Sequence, residues 1–382
     1  MPLTRPDKEF APAPDRIQRF ARRYIGRRLT RHKALGAPDM VALKKSRRWV
    51  IVWAALAGIV SGTLIGGAEW WMREILVDHW EALSLREQLP YWTGYMAFAG
   101  VVTLLEIGFI YWNSLRGVAR MMHFCGLDYR HSSPQPPTVE LTLQGAARVA
   151  LEYPSPGSLV YGVNPHAYLR GWQLTLRALI YRLKVSLSSF LLRMIMRRLL
   201  GRLTLRGFVP FLVAPLYALW NAWIAARVTE DACLLAQGPQ RIERLMPRID
   251  RAPEHIRRLL AQGVGEMIMR NQHPHPNLVL LLSYVLATLP DAPSTLAVEW
   301  PSALDEFARL DEGERAPLLE SLTQAVLLSG GYRGARKRFL RQVFARCQTP
   351  LTAAFIDEQR REMASNEPSS TSASNDQRGA SA

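Results

Sequence analysis

Apolar and charged residues form separate blocks over the first 226 positions of the chain. Residues Trp49–Ala68 contain no charge, and this run of twenty has about the length that a ~30 Å hydrocarbon layer requires. Arg47 and Arg48 precede the run and Glu69 follows it, so charged side chains mark both edges. The pattern predicts a first membrane-spanning helix.

Small residues recur at every fourth position of this first span. Four-residue spacing places Ala54, Gly58, Gly62 and Gly66, here called the small-residue ladder, on one face of a helix. Lipid offers no hydrophobic drive for helices to pair, so small residues that let two backbones approach supply the contact. We therefore expect a second helix, from this chain or from another copy of it, to cover the ladder.

A second span, predicted for residues 91–112, contains one carboxylate, Glu106. An ionisable residue inside a membrane is costly and indicates either a function such as a proton relay or a hydrogen-bonded packing residue. Because neither span has a basic residue, we favour the packing residue. Small residues on one side of this span offer an internal counter-face for the ladder: Thr93, Ala97, Gly100 and Gly108.

A third apolar segment, residues 207–226, is interrupted by Pro210, Pro215 and Asn221. Prolines and a polar amide are typical of a broken or shallow insertion, which is tolerated where protein buries the backbone. A single pass of this segment would put the C-terminal part outside, whereas a re-entrant hairpin would keep it inside. The sequence leaves both alternatives open.

The charges flanking the spans predict their orientation. Residues 1–48 hold fourteen lysines and arginines, whereas residues 69–90 hold two basic residues and five acids. Cytoplasmic flanks of membrane spans are enriched in lysine and arginine. We therefore expect the N-terminus to be cytoplasmic in a bacterial inner membrane, with the acidic loop outside.

The whole chain carries a net charge of +16, which favours an anionic partner. Ten of its eleven tryptophans lie before Ala226, beside the apolar runs, and this arrangement is typical of a bilayer interface. No recognisable nucleic-acid-binding module accompanies the basic residues, so nucleic acid is an unfavoured partner.

Two basic segments are expected to lie on the anionic leaflet. Residues 15–33 place Ile17, Phe20 and Ile25 at helical spacing with arginines on the other faces, which predicts an interfacial amphipathic helix. A solvated arm is the alternative for this segment. Residues 176–208 contain eight basic residues and no acid and favour a second interfacial helix. The predicted lipid contacts are Arg19, Arg22, Arg23, Arg27, Arg28, Arg197 and Arg198.

Three runs between residues 148 and 228 resemble a family of bacterial multi-spanning membrane proteins that has no assigned activity. They are "RVALEYPSPGSLVYGVNP", "LIYRLKVSLSSFLLRMIMRRLLGR" and "FVPFLVAPLYALWNAWIAARV". This resemblance, over roughly residues 100–270, implies a membrane location and implies nothing about catalysis. Its markers are Tyr181, Leu183, Lys184, Phe190, Arg197, Arg198, Gly201, Arg202, Trp220, Asn221 and Ala222.

Beyond Arg227 the apolar residues recur with helical periodicity, which predicts a compact all-α cytoplasmic domain. Residues 318–344 resemble the tellurite-resistance-B-like helical domain. That family binds metal through acidic residues at a turn, where this chain has Gly330, Gly331 and Arg333, so the metal site does not carry over. The "HPHPN" run at 273–277 is interpreted as a helix connection, because two histidines need further ligands to hold a metal.

The sequence contains no GxSxG, HExxH or Walker A pattern, and we predict no enzyme activity, cofactor or metal. The leading hypothesis is a membrane-anchored scaffold whose helical domain binds an unknown protein partner, and a second copy of the chain is a further candidate partner. The alternative is a component of a transporter or channel that uses Glu106. The predicted organisation is a basic arm (1–48), a two-span hairpin (49–113), a basic interfacial region (114–206), a third apolar segment (207–226), a helical domain (227–363) and a disordered tail (364–382).

Overall fold

A computed structural model describes residues 16–31, 39–76, 83–125, 136–151, 159–169, 172–173, 209–272, 274–291 and 293–364. The predicted all-α fold is confirmed, because these ranges contain eleven helices and, apart from one isolated bridge between Val160 and Val163, no β pairing. The helices are α1 (Arg16–Arg31), α2 (Met40–Trp71), α3 (Leu85–Phe124), α4 (Pro136–Leu151), α5 (Val209–Arg251), α6 (Glu254–Asn271), α7 (Pro276–Ala287), α8 (Trp300–Arg309), α9 (Glu312–Leu328), α10 (Gly334–Arg346) and α11 (Ala353–Ala364).

Two of these helices, α2 and α3, are long and apolar enough to cross a membrane. The predicted spans form their central parts, and each helix begins with a side-chain cap. The carboxylate of Asp39 accepts the backbone N–H groups of Val41 and Ala42, and Ser84 and Glu87 form a capping box at the start of α3. In the most apolar stretch of α3 only 17% of the residues are buried, whereas a core helix of a soluble protein would be mostly buried.

The third apolar segment is the first part of α5, a continuous helix of 43 residues. A re-entrant hairpin would require the chain to reverse within this segment, so that alternative is wrong for the described residues. Pro215 lies inside the helix and is exposed on its surface. Helix propagation beyond a proline is tolerated in apolar surroundings where neighbouring helices support the freed backbone groups.

Helix α5 runs antiparallel to α2. Ala225 packs with Val50 and Ala54 near the start of the first span, while Ala214 lies against Gly62 further along it. Helix α5 therefore begins near the end of α2, packs along it, and continues past the point where α2 begins. We refer to α2, α3 and residues 209–226 of α5 as the bundle.

Helix α1 packs at that same end of the bundle. Its apolar residues Ala21 and Ile25 are fully buried and belong to one core with Val118 of α3 and Ala146 of α4. The prediction that this apolar face lies on the membrane surface is therefore wrong for its central residues. Phe20 remains 63% exposed on the other side of the helix.

The second half of α5 and helices α6–α11 form the helical domain, which has a large aliphatic and aromatic core. The apolar periodicity predicts C-terminal helices at residues 302–310, 315–329, 334–347 and 350–363. These correspond to α8–α11 within about three residues, and Gly330 and Gly331 end α9 with positive φ angles. Helix α5 passes the predicted boundary at residues 226–227 without a break. The bundle and the helical domain thus share one helix, and the domain lies at the bundle end where α1 packs.

Candidate functional site

The small-residue ladder forms the closest contact between α2 and α5. A Cβ atom placed on Gly58 would lie 2.6 Å from the backbone carbonyl carbon of Tyr217. One placed on Gly62 would lie 2.6 Å from the Cα atom of Ala214. Real Cβ atoms do not approach backbone so closely, so any side chain at either glycine requires the two helices to separate. Ala54 and Gly66, the ends of the ladder, are also buried.

The counter-face of the ladder is therefore α5, and the predicted counter-face on α3 is wrong. A Cβ atom added at Gly100 or Gly108 would meet no atom within 4 Å, and the side chains of Thr93 and Ala97 are exposed. Helix α3 instead contacts α2 through larger residues such as Tyr95 and Val102, which pack with Ile65.

Glu106 of α3 is hydrogen-bonded to α5. The side-chain amide of Asn221 donates to Oε1 of Glu106 over 2.7 Å, while Oε2 is buried without a partner among the described residues. The two polar residues that interrupt the second and third apolar segments are thus hydrogen-bonded to each other through one carboxylate oxygen. Such a contact stabilises a helix pair, because each polar group would otherwise face hydrocarbon.

Two further polar contacts join α2 to α3 on either side of Glu106. The hydroxyl of Tyr95 donates to Glu69 over 3.2 Å, and the side-chain amide of Asn113 donates to the backbone carbonyl of Val50 over 2.9 Å. Sequence reasoning treated Glu69 as an edge marker and missed both contacts. The one available signal was a polar residue near the end of each predicted span.

The arginines predicted to contact lipid lie in three different settings. Arg19, Arg23 and Arg27 are exposed along α1 at four-residue spacing and so form one basic stripe. Arg22 and Arg28 are partly buried, and the guanidinium of Arg28 lies 5.6 Å from the ring centroid of Tyr24. The remaining pair, Arg197 and Arg198, lies outside the described residues.

The helical domain buries one carboxylate completely, that of Glu266 on α6. Arg270 donates to it over 2.5 Å, and the hydroxyl of Tyr168 donates to both of its oxygens. Burial and the negative charge of Glu266 raise the pKa of Tyr168. The guanidinium of Arg270 in turn faces the rings of Trp300 and Phe339, so this buried charge is paired and enclosed. The four-residue spacing of Glu266 and Arg270 was the sequence signal for this pair.

His275, from the "HPHPN" run, begins α7 as its capping residue. Its Nδ1 accepts the backbone N–H of Asn277 over 3.2 Å, and burial with the nearby charge of Arg336 lowers its pKa to about 4. Among the described residues no group of three or more histidine, cysteine or acidic side chains could hold a metal ion. His273 lies outside the described residues.

No family model, curated protein or solved structure matches this chain. The two family resemblances noted in the sequence therefore stay predictions. Three structural features bear on function: a glycine-mediated helix contact, a carboxylate–amide pair between apolar helices, and a shared helix that leads into the helical domain.

Proposed function

We propose that this protein anchors a helical domain at the cytoplasmic face of a bacterial inner membrane and presents it to a protein partner. The observation that supports the proposal most strongly is the continuity of α5 from the bundle into the domain. A flexible linker would let the domain move freely, whereas one helix holds its orientation to the membrane.

The proposed orientation combines the helix directions with the flanking charges. Helices α2 and α5 are antiparallel, so the helical domain lies on the same side of the bundle as α1 and the basic residues that precede the first span. Such a basic flank is typical of the cytoplasmic side. In this orientation the N-terminal arm and the helical domain are both available to cytoplasmic partners, and the loop between α2 and α3 is outside. The proposal also requires the chain to cross the membrane between Gln173 and Val209, and in this respect it departs from the interfacial helix expected there from the sequence.

Cysteine labelling of the full chain in membranes tests this orientation. In a variant whose three native cysteines are replaced by alanine, we place single cysteines at Ser84, Val209 and Arg338. An impermeant maleimide should label Ser84→Cys and Val209→Cys from one side of the membrane and Arg338→Cys from the other. Labelling of Val209→Cys and Arg338→Cys from the same side would contradict the proposed path of α5.

Photocrosslinking in living cells tests the presenting role. A photoreactive residue replaces Glu306 of α8 or Arg338 of α10, both of which are exposed on the helical domain. We expect discrete protein adducts from these positions and none from Leu105, which is 69% exposed on the bundle. Equal adduct patterns at all three positions, or no adduct at the domain positions, would count against a domain that presents a binding surface.

A transporter or channel role is the second candidate, and the buried, unpartnered Oε2 of Glu106 favours it. Glu106→Gln keeps the shape and the hydrogen bond from Asn221 but removes the ionisable group. If Glu106 relays protons, this variant should abolish proton flux into proteoliposomes while leaving thermal stability unchanged. Unchanged flux would leave Glu106 with a packing role alone.

A further inference from the structure

A cleft of about 490 Å³ opens between α2 and α3 at the bundle end where α1 packs. Its floor is the close approach of the two helices, where a Cβ atom on Gly117 would lie 2.9 Å from the side chain of Val50. Helix α2 contributes Trp49 and Trp53 to the walls, and helix α3 contributes Phe109 and Trp112.

The four aromatic rings line the cleft as a continuous wall. The ring centroids of Trp49 and Trp53 are 6.5 Å apart, those of Trp53 and Phe109 are also 6.5 Å apart, and those of Phe109 and Trp112 are 5.7 Å apart. Each pair lies within the range of an aromatic contact. The wall gives the cleft a wide apolar surface that can accept hydrocarbon.

Two arginines of α3, Arg116 and Arg120, border the same cleft. The guanidinium of Arg116 lies 5.3 Å from the ring centroid of Trp112, and its Nε–H is buried with no hydrogen-bond partner in the part of the chain that the structure describes. Among the described residues neither arginine forms an ion pair with a carboxylate. A partly buried donor of this kind is costly until an acceptor arrives.

Positive charge accumulates at this end of the cleft. Burial and the charges of Arg116 and Arg28 lower the pKa of Arg120, while Tyr24 acts on it in the opposite direction. Arg28 comes from α1, so three guanidinium groups from two helices lie near one another. A bound anion would relieve their mutual repulsion and supply the missing acceptors.

The position of the cleft relative to the predicted spans distinguishes between possible anions. Trp49 begins the first predicted span and Trp112 ends the second, so the aromatic wall lies where tryptophan is enriched at a membrane interface. In a bilayer the phosphate layer lies just outside this level. A free phosphate would use only the arginines, whereas a phospholipid would use both the arginines and the aromatic wall.

We propose that this Trp–Arg cleft is a specific site for an anionic glycerophospholipid. Arg116 and Arg120 bind its phosphate, Arg28 adds positive charge, and an acyl chain lies along Trp53 and Phe109. The site rests on the proposed membrane location, but it differs from the exposed arginine stripe of α1, whose contact with lipid would be non-specific.

Native mass spectrometry of the full chain in mild detergent tests the site. The protein is titrated with phosphatidylglycerol, with phosphatidylcholine of the same acyl chains, or with inorganic phosphate. The charge-removing variant is Arg116→Gln/Arg120→Gln. The matched control is Lys44→Gln/Arg48→Gln, which removes the same charge from two exposed residues of α2 outside the cleft.

We expect saturable binding of phosphatidylglycerol, weakened about tenfold or more in the cleft variant and unchanged in the control, because each charged hydrogen bond contributes substantially. Equal binding of phosphatidylcholine, competition by millimolar inorganic phosphate, or equal losses in both variants would overturn the proposal. If the cleft variant does not fold, Arg116→Lys/Arg120→Lys replaces it, and the preference of the wild-type protein for phosphatidylglycerol still tests the proposal.

Fractionation of the same cells separates the two proposals. Protein outside the membrane fraction contradicts the proposed membrane anchor, whereas membrane-bound protein without a lipid preference contradicts only the proposed lipid site in the cleft.

Discussion

The bundle and the helical domain share α5 but pack by opposite means. In the bundle the closest contact is made by Gly58 and Gly62, which bring two backbones together. In the domain the core is filled by large side chains, and Phe307 and Phe339 are fully buried. This difference is the one expected if the bundle lies in lipid and the domain in water, because lipid competes for large apolar side chains but not for close backbone contact, whereas water favours the burial of large apolar surface.

Truncation of a large core residue should have the largest effect, and only in the domain. Phe307→Ala should cost about 3–5 kcal/mol, because it removes a fully buried ring and leaves a cavity. Hydrogen exchange of the full chain should show a loss of protection in α8–α10 and no loss of protection in α2. Leu219→Ala, at a bundle residue that is 69% exposed, is the control and should be nearly neutral. Equal losses from both variants would mean that the two regions do not differ as described.

Acidification should also separate the two regions. The pKa of His275 is lowered to about 4 when folded, against about 6.5 when unfolded, so the unfolded chain binds the proton first. The stability that His275 contributes is present above pH 6.5 and is lost as the pH falls towards 4, by up to about 3 kcal/mol.

The measurement is the pH dependence of hydrogen exchange in α7, compared with that of the variant His275→Asn. Asparagine can cap a helix without titrating in this range, so the variant should flatten the dependence. An identical slope in both proteins would show that another group causes it.

Enlargement of a ladder residue should destabilise only the bundle. Gly58→Leu forces a side chain against the backbone of Tyr217 and should cost about 1–3 kcal/mol. Membrane fractionation should stay normal, because leucine favours hydrocarbon at least as well as glycine does. Thermal melting in detergent measures the loss, with Val60→Leu on an exposed face as the control. A loss of equal size at Val60 would show that close approach at the ladder is not what holds α2 to α5.

The smallest effect is expected from the polar pair in the bundle. Asn221→Leu removes the donor to Glu106 and should cost about 0.6–2 kcal/mol, in the range measured for hydrogen bonds between membrane helices. Thermal melting of this variant, of Glu106→Leu and of the double variant forms a double-mutant cycle, because each single change removes the hydrogen bond between the two side chains. Additive losses would mean that the two side chains do not depend on each other.

The sequence was sufficient to predict most helices, although not α4 or the full length of α5, and it was insufficient to predict which helices pack together. The uncharged run after Arg48 located the first span, and the periodicity beyond Arg227 located the domain helices within a few residues. The ladder predicted a covering helix, but small residues recur on α3 as well as on α5. Only the fold shows that Ala214, in a proline-containing segment about 150 residues away, is the neighbour of Gly62.

Helix α1 and the Trp–Arg cleft are two further features whose packing partners cannot be predicted from the sequence. An apolar stripe has the same periodicity whether it packs on lipid or on protein, so spacing alone does not show whether Ile25 contacts lipid or a protein core. The cleft joins Trp49 and Trp53 to Arg116 and Arg120, which are more than sixty positions apart. No local motif marks such a site, because its chemistry arises only when two antiparallel helices meet.

The distance along the chain between the small-residue ladder and the α5 residues that pack on it has a consequence for biosynthesis. At about 5–20 residues per second, Tyr217 is synthesised roughly 8–30 s after Gly58. If α2 and α3 insert in a membrane as proposed, the first hairpin is in the bilayer during that interval, with Gly58 and Gly62 facing lipid or a neighbouring protein. A ribosome that stalls before α5 therefore leaves a membrane hairpin with an adhesive glycine face, and such fragments should associate with one another and be preferred substrates for membrane proteases.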